Sequence, residues 1–191
     1  MQLVVLGLNH KTVPVDIREQ FAISPDSARS GLIHLDEQEG IEEAVVLSTC
    51  NRTEIYAVLK DETAKETLYD FFLALSGNSE AKDEYFFYFE GEACIRHLFE
   101  VVSGLDSMVI GESQILNQIK TAYTMALEEK ATRTILNTLF HRAIRTGKRV
   151  RTRRRFYSAV SVSYAAVKLA ENILGGLDDR TAMVFGAGRG G

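Results

Sequence analysis

The apolar residues of this chain change their spacing once, at Gly91, and the two periods on either side leave few folds open. Before Gly91 they fall in short runs rich in β-branched and aromatic side chains, at Leu3–Leu8, Ala44–Leu47, Ile55–Leu59 and Tyr85–Phe89. Runs of that length read as strands. Ser24–Gln38, opened by Ser24-Pro25-Asp26 with proline at a first helical position, and Thr63–Ser76 read as helices between them. The resulting order, β-α-β-β-α-β, is the split pattern of a ferredoxin-like sandwich, its central strands joined by the tight connection Thr49–Thr53. The expectation is an α+β fold, an antiparallel sheet with helices on one face.

After Gly91 the period is helical. Cys94, Leu98, Val101 and Leu105, then Ile115, Ile119, Ala122 and Ala126, then Leu136, Leu139, Ala143 and Val150 recur at near-helical spacing, so several amphipathic helices follow the sheet. Ser161–Leu174 is a further, mostly apolar helix stopped by Gly175-Gly176. Thr181–Phe185 then reads as a strand running into Gly186-Ala187-Gly188-Arg189-Gly190-Gly191. A composition of 46% hydrophobic residues with only 2 prolines supports a packed core and excludes disorder. The amino terminus lacks the basic n-region of a signal peptide, and no apolar run approaches the ~20 residues of a membrane span. A cytoplasmic protein without membrane contact is expected, and with 2 cysteines, Cys50 and Cys94, and no export signal, reduced thiols.

Four constellations carry possible chemistry. In Ser48-Thr49-Cys50-Asn51-Arg52-Thr53-Glu54 the cysteine sits at the turn of the central hairpin, near unpaired backbone N–H groups and a guanidinium. Such surroundings lower a thiol's pKa from its free value of about 8.5. The same position also suits a small buried residue ending a strand, and Arg52 suits either a solvated turn or a carboxylate clamp. Cys94 and His97 lie within one turn of a helix, which allows a Cys–His dyad, half a metal site, or a hydrogen-bonded histidine at a helix–sheet boundary. No other cysteine or histidine pair has zinc-like spacing, so no metal is expected. In Gly104–Gln114 short polar groups interrupt an apolar stretch; Glu112, Gln114 and Gln118 could hydrogen-bond an amino acid, and capping by Ser107 and Glu112 explains part of the pattern. Gly186-x-Gly188-x-x-Gly191 after a strand is a dinucleotide fingerprint whose helix and acidic partner are missing.

The net charge of -4 conceals a basic run: Arg142, Arg145, Lys148, Arg149, Arg151, Arg153, Arg154 and Arg155 follow one another with no acidic residue between them. By default it is a solvated helix face, and phosphate is the other partner its field suits.

Taken together, Gly7-Leu8-Asn9-His10-Lys11-Thr12-x-Pro14-x-x-Ile17-Arg18-Glu19, Ser48-Thr49-Cys50-Asn51-Arg52-Thr53-Glu54 and Gly104-Leu105-Asp106-Ser107-Met108 with Gly111-Glu112-x-Gln114-Ile115 resemble the glutamyl-tRNA reductase family. The resemblance implies an NADP-dependent oxidoreductase at the first committed step of tetrapyrrole synthesis. Cys50 would attack the ester of glutamyl-tRNA to give a thioester, which NADPH reduces to glutamate semialdehyde. It implies substrate-binding roles for Thr49, Asn51, Arg52, Ser107, Glu112, Ser113, Gln114 and Gln118, assistance to the chemistry by His97, and NADPH binding at Gly186, Ala187, Gly188, Arg189, Gly190 and Gly191. Cys94 matches no motif and is structural. The family is homodimeric, and the aminomutase that takes its product is a further partner.

On this resemblance residues 1–157 form the catalytic domain with its trailing helices, and 158–191 the truncated start of a Rossmann-type NADPH domain. The expectation is that such a fragment keeps at most acyl transfer or esterase activity. Asn117 stands where the family usually has glycine, and Arg151–Tyr157 is more basic than the usual loop. A non-catalytic RNA-binding module is the alternative; it lacks the glycine-aromatic strand motif of a ribonucleoprotein sheet. A cysteine hydrolase using Cys50 and His97 differs only in passing the acyl group to water.

Overall fold

Strands of two-residue period build the sheet, and helices cover it on both sides. The computed structural model describes residues 1–78, 81–106 and 114–153, with isolated positions beyond. β1 (Gln2–Asn9), β2 (Ile41–Ser48), β3 (Arg52–Leu59) and β4 (Phe87–Glu90) form a 4-stranded sheet in the order β2-β3-β1-β4. Every pairing in it is antiparallel. The expected Ser161–Leu174 helix, the Thr181–Phe185 strand and the Gly186–Gly191 turn fall outside the described stretches.

One expectation is corrected here: the helices do not keep to one face. β3 is buried at every position, which requires cover on both sides because successive side chains alternate faces. On one face Tyr56 meets Phe140 of α6 (Thr134–Arg153) edge-on at 5.4 Å and stacks near His97 of α4 (Gly91–Val102). On the other, Lys65 of α3 (Ala64–Ser76) lies 4.3 Å over the Tyr88 ring, with α2 (Pro25–Ile33) packed against α3. α5 (Gln114–Glu128) runs beside β2 and α6, and the Ala131 carbonyl just beyond it accepts the Ala44 N–H, occupying the free edge of β2. The trailing helices thus complete the sheet's core instead of following it as a separate layer.

Boundaries moved for local reasons. Helix α2 is capped by the Ser24 hydroxyl with Pro25 at its start and ends at Ile33, after which Leu35–Glu37 form a 3-10 turn. α1 (Val15–Gln20) was not foreseen; one and a half turns are too short to show a period. Leu105 was expected on the buried stripe of α4 and is 55% exposed. Gly104 at φ +69 stops α4 in the left-handed conformation, so Leu105 has left the helical register. Among the described residues no helix is long and apolar enough to cross a membrane.

Glu43 joins the two halves. Buried in β2, its carboxylate accepts the backbone N–H groups of Arg133 (2.7 Å), Leu136 (2.9 Å) and Ile135 (3.1 Å). A carboxylate at a helix N-terminus meets donors that have no partner within the helix and a favourable dipole. Glu43→Ala should therefore lower unfolding stability by roughly 3 kcal/mol, the cost of leaving such buried donors unmet. Urea unfolding measures it; a loss below about 1 kcal/mol would show that α6 is capped by something else.

Candidate active site

β3 opens with a pattern that apolar strands avoid. Arg52, Glu54 and Tyr56 are separated by single residues, so they share one face, the face turned to α4 and α6. Across from them on β1 are Asn9, Gly7 and Val5. A Cβ on Gly7 would stand 2.7 Å from the Thr53 carbonyl oxygen and 2.8 Å from Cγ of Glu54, so glycine makes the room in which Glu54 is buried.

A chain of charges fills that room. His97 reaches down from α4 and donates from Nε2 to Glu54 Oε1 at 2.9 Å, while the Tyr56 hydroxyl donates to Oε2 at 2.7 Å. Arg52 donates from Nη1 to Glu54 Oε1 and to Asp106 Oδ2, both at 2.9 Å, and from Nη2 to the Asp106 carbonyl. Lys11 closes the chain on Asp106 Oδ1. Phe87 and Phe89 of β4 wall the His97 ring, with centroids at 5.0 and 5.3 Å.

The charge states follow from this geometry. Burial pushes the Glu54 carboxyl up, but the His97 hydrogen bond and the Arg52 charge outweigh it and hold Glu54 below its ordinary value. Asp106 is likewise held low against burial by its hydrogen bonds with Lys11 and Arg52. Burial, and then the Glu54 charge, raise Tyr56 well above its usual value and push the Cys94 thiol up to about 12. Cys94 is therefore a protonated core side chain and no nucleophile.

Cys50 is exposed, on the turn between β2 and β3. Its surroundings are fixed by backbone contacts. Buried Arg18 donates from Nε to the Cys50 carbonyl (2.9 Å) and from Nη1 to the Val13 carbonyl (3.1 Å), and the His10 N–H donates to the Asn51 carbonyl (3.1 Å). Inside the turn the Thr49 N–H donates to the Arg52 carbonyl (2.8 Å), and the Thr49 hydroxyl accepts from the N–H groups of Asn51 and Arg52 (3.2 Å each). Burial, followed by the charge of Arg52, lowers the His10 pKa, and its Nδ1 is buried without a partner.

Beside the turn lies a cleft of about 300 Å³, lined by Asn9, Lys11, Thr12, Phe87, Phe89, Ala93, Arg96, His97, Glu100 and Asp106. His97 belongs to it and Cys50 does not line it; the two are linked through Arg52 and Glu54. Of the other expected residues, Thr49, Asn51 and Arg52 share the turn, whereas Gln114 is exposed and Gln118 half-buried on α5. Ser107, Glu112, Ser113, Gly186, Ala187, Gly188, Arg189, Gly190 and Gly191 lie outside the described residues.

The whole chain is similar to known proteins. The family profile described as Glutamyl-tRNAGlu reductase, N-terminal domain, matches residues 6–154. This chain belongs to the glutamyl-tRNA reductase family. It is 48% identical over 191 residues to glutamyl-tRNA reductase of Pelobacter propionicus and 49% identical over 191 residues to that of Geobacter metallireducens, covering 98% of this chain and 44% of each relative. Among solved structures, glutamyl-tRNA reductase from Methanopyrus kandleri superposes with a TM-score of 0.70 at 37% identity, over 98% of this chain and 44% of that one. The chain thus spans less than half the length of the glutamyl-tRNA reductases it matches.

The glutamyl-tRNA reductase motifs, read as sequence, left Glu54, Tyr56, Asp106, Lys11 and Arg18 without roles. The signal for Glu54 and Tyr56 was present, because charges at period two inside a strand must be paired or exposed. Lys11, Arg18 and Asp106 stand inside the motifs, but their contacts join distant parts of the chain and no local pattern announces the pairing.

Glu54 and Asp106 have folded pKa values below their unfolded ones, so each contributes stability that is complete above the unfolded value and lost as pH falls through the folded one. Stability should hold down to about pH 4.5 and fall progressively below it. Asp106→Asn should be less stable at neutral pH and show a shallower acid loss. Urea unfolding across pH is the check, and equal acid slopes in both proteins would remove Asp106 from the network.

Proposed function

We propose that this chain carries the acyl-transfer step of a glutamyl-tRNA reductase, with Cys50 as nucleophile. The observation supporting it is an exposed thiol on a turn whose carbonyls and amides are tied to buried Arg18 and to the β1 end. A turn so held presents its sulfur in one place, which is what attack on a carbonyl needs. The Cys50 thiolate forms a C–S bond to the glutamyl carbonyl carbon, the C–O bond to the terminal ribose breaks, and the ribose oxygen leaves with a proton as tRNA is released. A thioester results, more open to hydride than the ester it replaces.

In this reading His97 assists as proton carrier from the cleft, its ring fixed by Glu54. Thr49, Asn51 and Arg52 recognise glutamate together with Ser107, Glu112, Ser113, Gln114 and Gln118. When bound, NADPH supplies the hydride that reduces the thioester to glutamate semialdehyde; the residues that would hold it, Gly186–Gly191, lie outside those described. With the same reading go a homodimer, a downstream aminomutase, a cytoplasmic setting and a domain division at 157/158. The strand order β2-β3-β1-β4 supports a ferredoxin-like assignment for the sheet.

Mass spectrometry of the protein after incubation with glutamyl-tRNA tests the nucleophile. A glutamyl adduct should appear on Cys50, vanish in Cys50→Ser and persist in Cys94→Ser, whose thiol is buried and protonated. Equal loss in both variants, or an adduct in Cys50→Ser, would contradict the assignment.

A further inference from the structure

Helix α6 has two incompatible faces. Leu136, Phe140, Ala143 and Gly147 recur at helical spacing and are buried, and the opposite arc carries Arg142, Arg145, Lys148 and Arg149, all exposed. No acidic residue occurs anywhere in Thr134–Arg153. Elsewhere Arg29 pairs with Glu128 and Glu129, Arg52 with Glu54 and Asp106, Arg96 with Glu92 and Arg133 with Glu42, while Arg18 donates to the Cys50 and Val13 carbonyls. Among the described residues these cations of α6 have no ion-pair partner, in a chain whose net charge is -4. Solubility does not require such a concentration of one sign, and it repels itself along the helix.

The packing of α6 keeps the arc in solvent. At Gly147 the α6 backbone touches the end of α4; a Cβ there would lie 2.9 Å from the Val102 carbonyl oxygen and from its Cγ2. The segment leaving Val102 leads directly to Asp106, the partner of Arg52. That contact lies on the buried face of α6, so the cationic arc on the opposite side is left facing solvent. It also borders a groove of about 370 Å³ with His141 and Ile144. From Arg142 to Arg149 the arc extends about 10 Å along the helix axis, enough for successive phosphates of one strand.

We infer that Arg142, Arg145, Lys148 and Arg149 of α6 form the surface on which the sugar-phosphate backbone of the tRNA substrate docks while its charged end enters the site. This rests on the reading that glutamyl-tRNA is the substrate. The recognition is electrostatic and sequence-independent, and it adds binding without touching the ester.

The test uses this chain and an Arg145→Gln/Arg149→Gln variant, with Arg145→Lys/Arg149→Lys as the charge-preserving control. Binding of uncharged tRNA is followed by fluorescence anisotropy across a salt series, and acylation of Cys50 is followed with glutamyl-tRNA and with a glutamyl ester of adenosine, which lacks the phosphates. The Gln variant should bind tRNA about tenfold more weakly and lose about 1.5 from the slope of log K against log salt, as two lost phosphate contacts require. The Lys variant should keep the slope, and the adenosine ester should acylate all forms alike. An unchanged slope in the Gln variant would overturn the docking surface, as would equal weakening toward the adenosine ester. Binding with the expected slopes, together with no acylation of Cys50 by either ester, would keep the docking surface and reject the catalytic reading.

Discussion

A guanidinium with 1% of its surface exposed must find its counter-charges inside the protein, and the arrangement around Arg52 follows from that requirement. Glu54 lies on the same strand face, and Asp106 comes from the segment after α4, so the pairing fixes where α4 may end. Glu54 in turn needs its remaining lone pairs met, and the Tyr56 hydroxyl and His97 Nε2 meet them. Removing one partner would strand a buried charge at a cost of about 3–5 kcal/mol. One strand end thus specifies the position of a histidine on a helix that begins more than thirty residues later.

The same strand end begins at the Cys50 turn. Arg52 closes that turn through its backbone and anchors the charge chain through its side chain, so the thiol-bearing turn and the imidazole-bearing helix belong to one rigid unit. Arg18 and His10 add a second tie from the segment after β1. The exposed Cys50 thiol is thereby held in place by the backbone of its turn. Cys94, three residues from His97 on the helix, is excluded from the same chemistry by its burial beside the Glu54 charge.

Much of this was legible. Strand positions and the two-period plan follow from the apolar spacing, and Pro25 behind the Ser24 cap marks the start of α2 as expected. Cys50 at a hairpin turn and His97 at a helix–sheet boundary were read where they stand. What was not legible depends on long-range pairing. Nothing near Glu43 in sequence reveals that it caps α6, or that α4 and α6 would cover the second face of the sheet. Leu105 misled because a helical period runs on in sequence past the glycine that ends the helix.

Arg52 is the link between the Cys50 turn and the segment that follows the His97 helix. A double-mutant cycle of unfolding free energies with Arg52→Met, Asp106→Asn and the double variant measures that link directly. A coupling of about 1–3 kcal/mol is expected, the double variant losing clearly less than the sum of the single losses. Losses that add to within about 0.5 kcal/mol would show that the two residues act independently and that the buried network does not hold the site together.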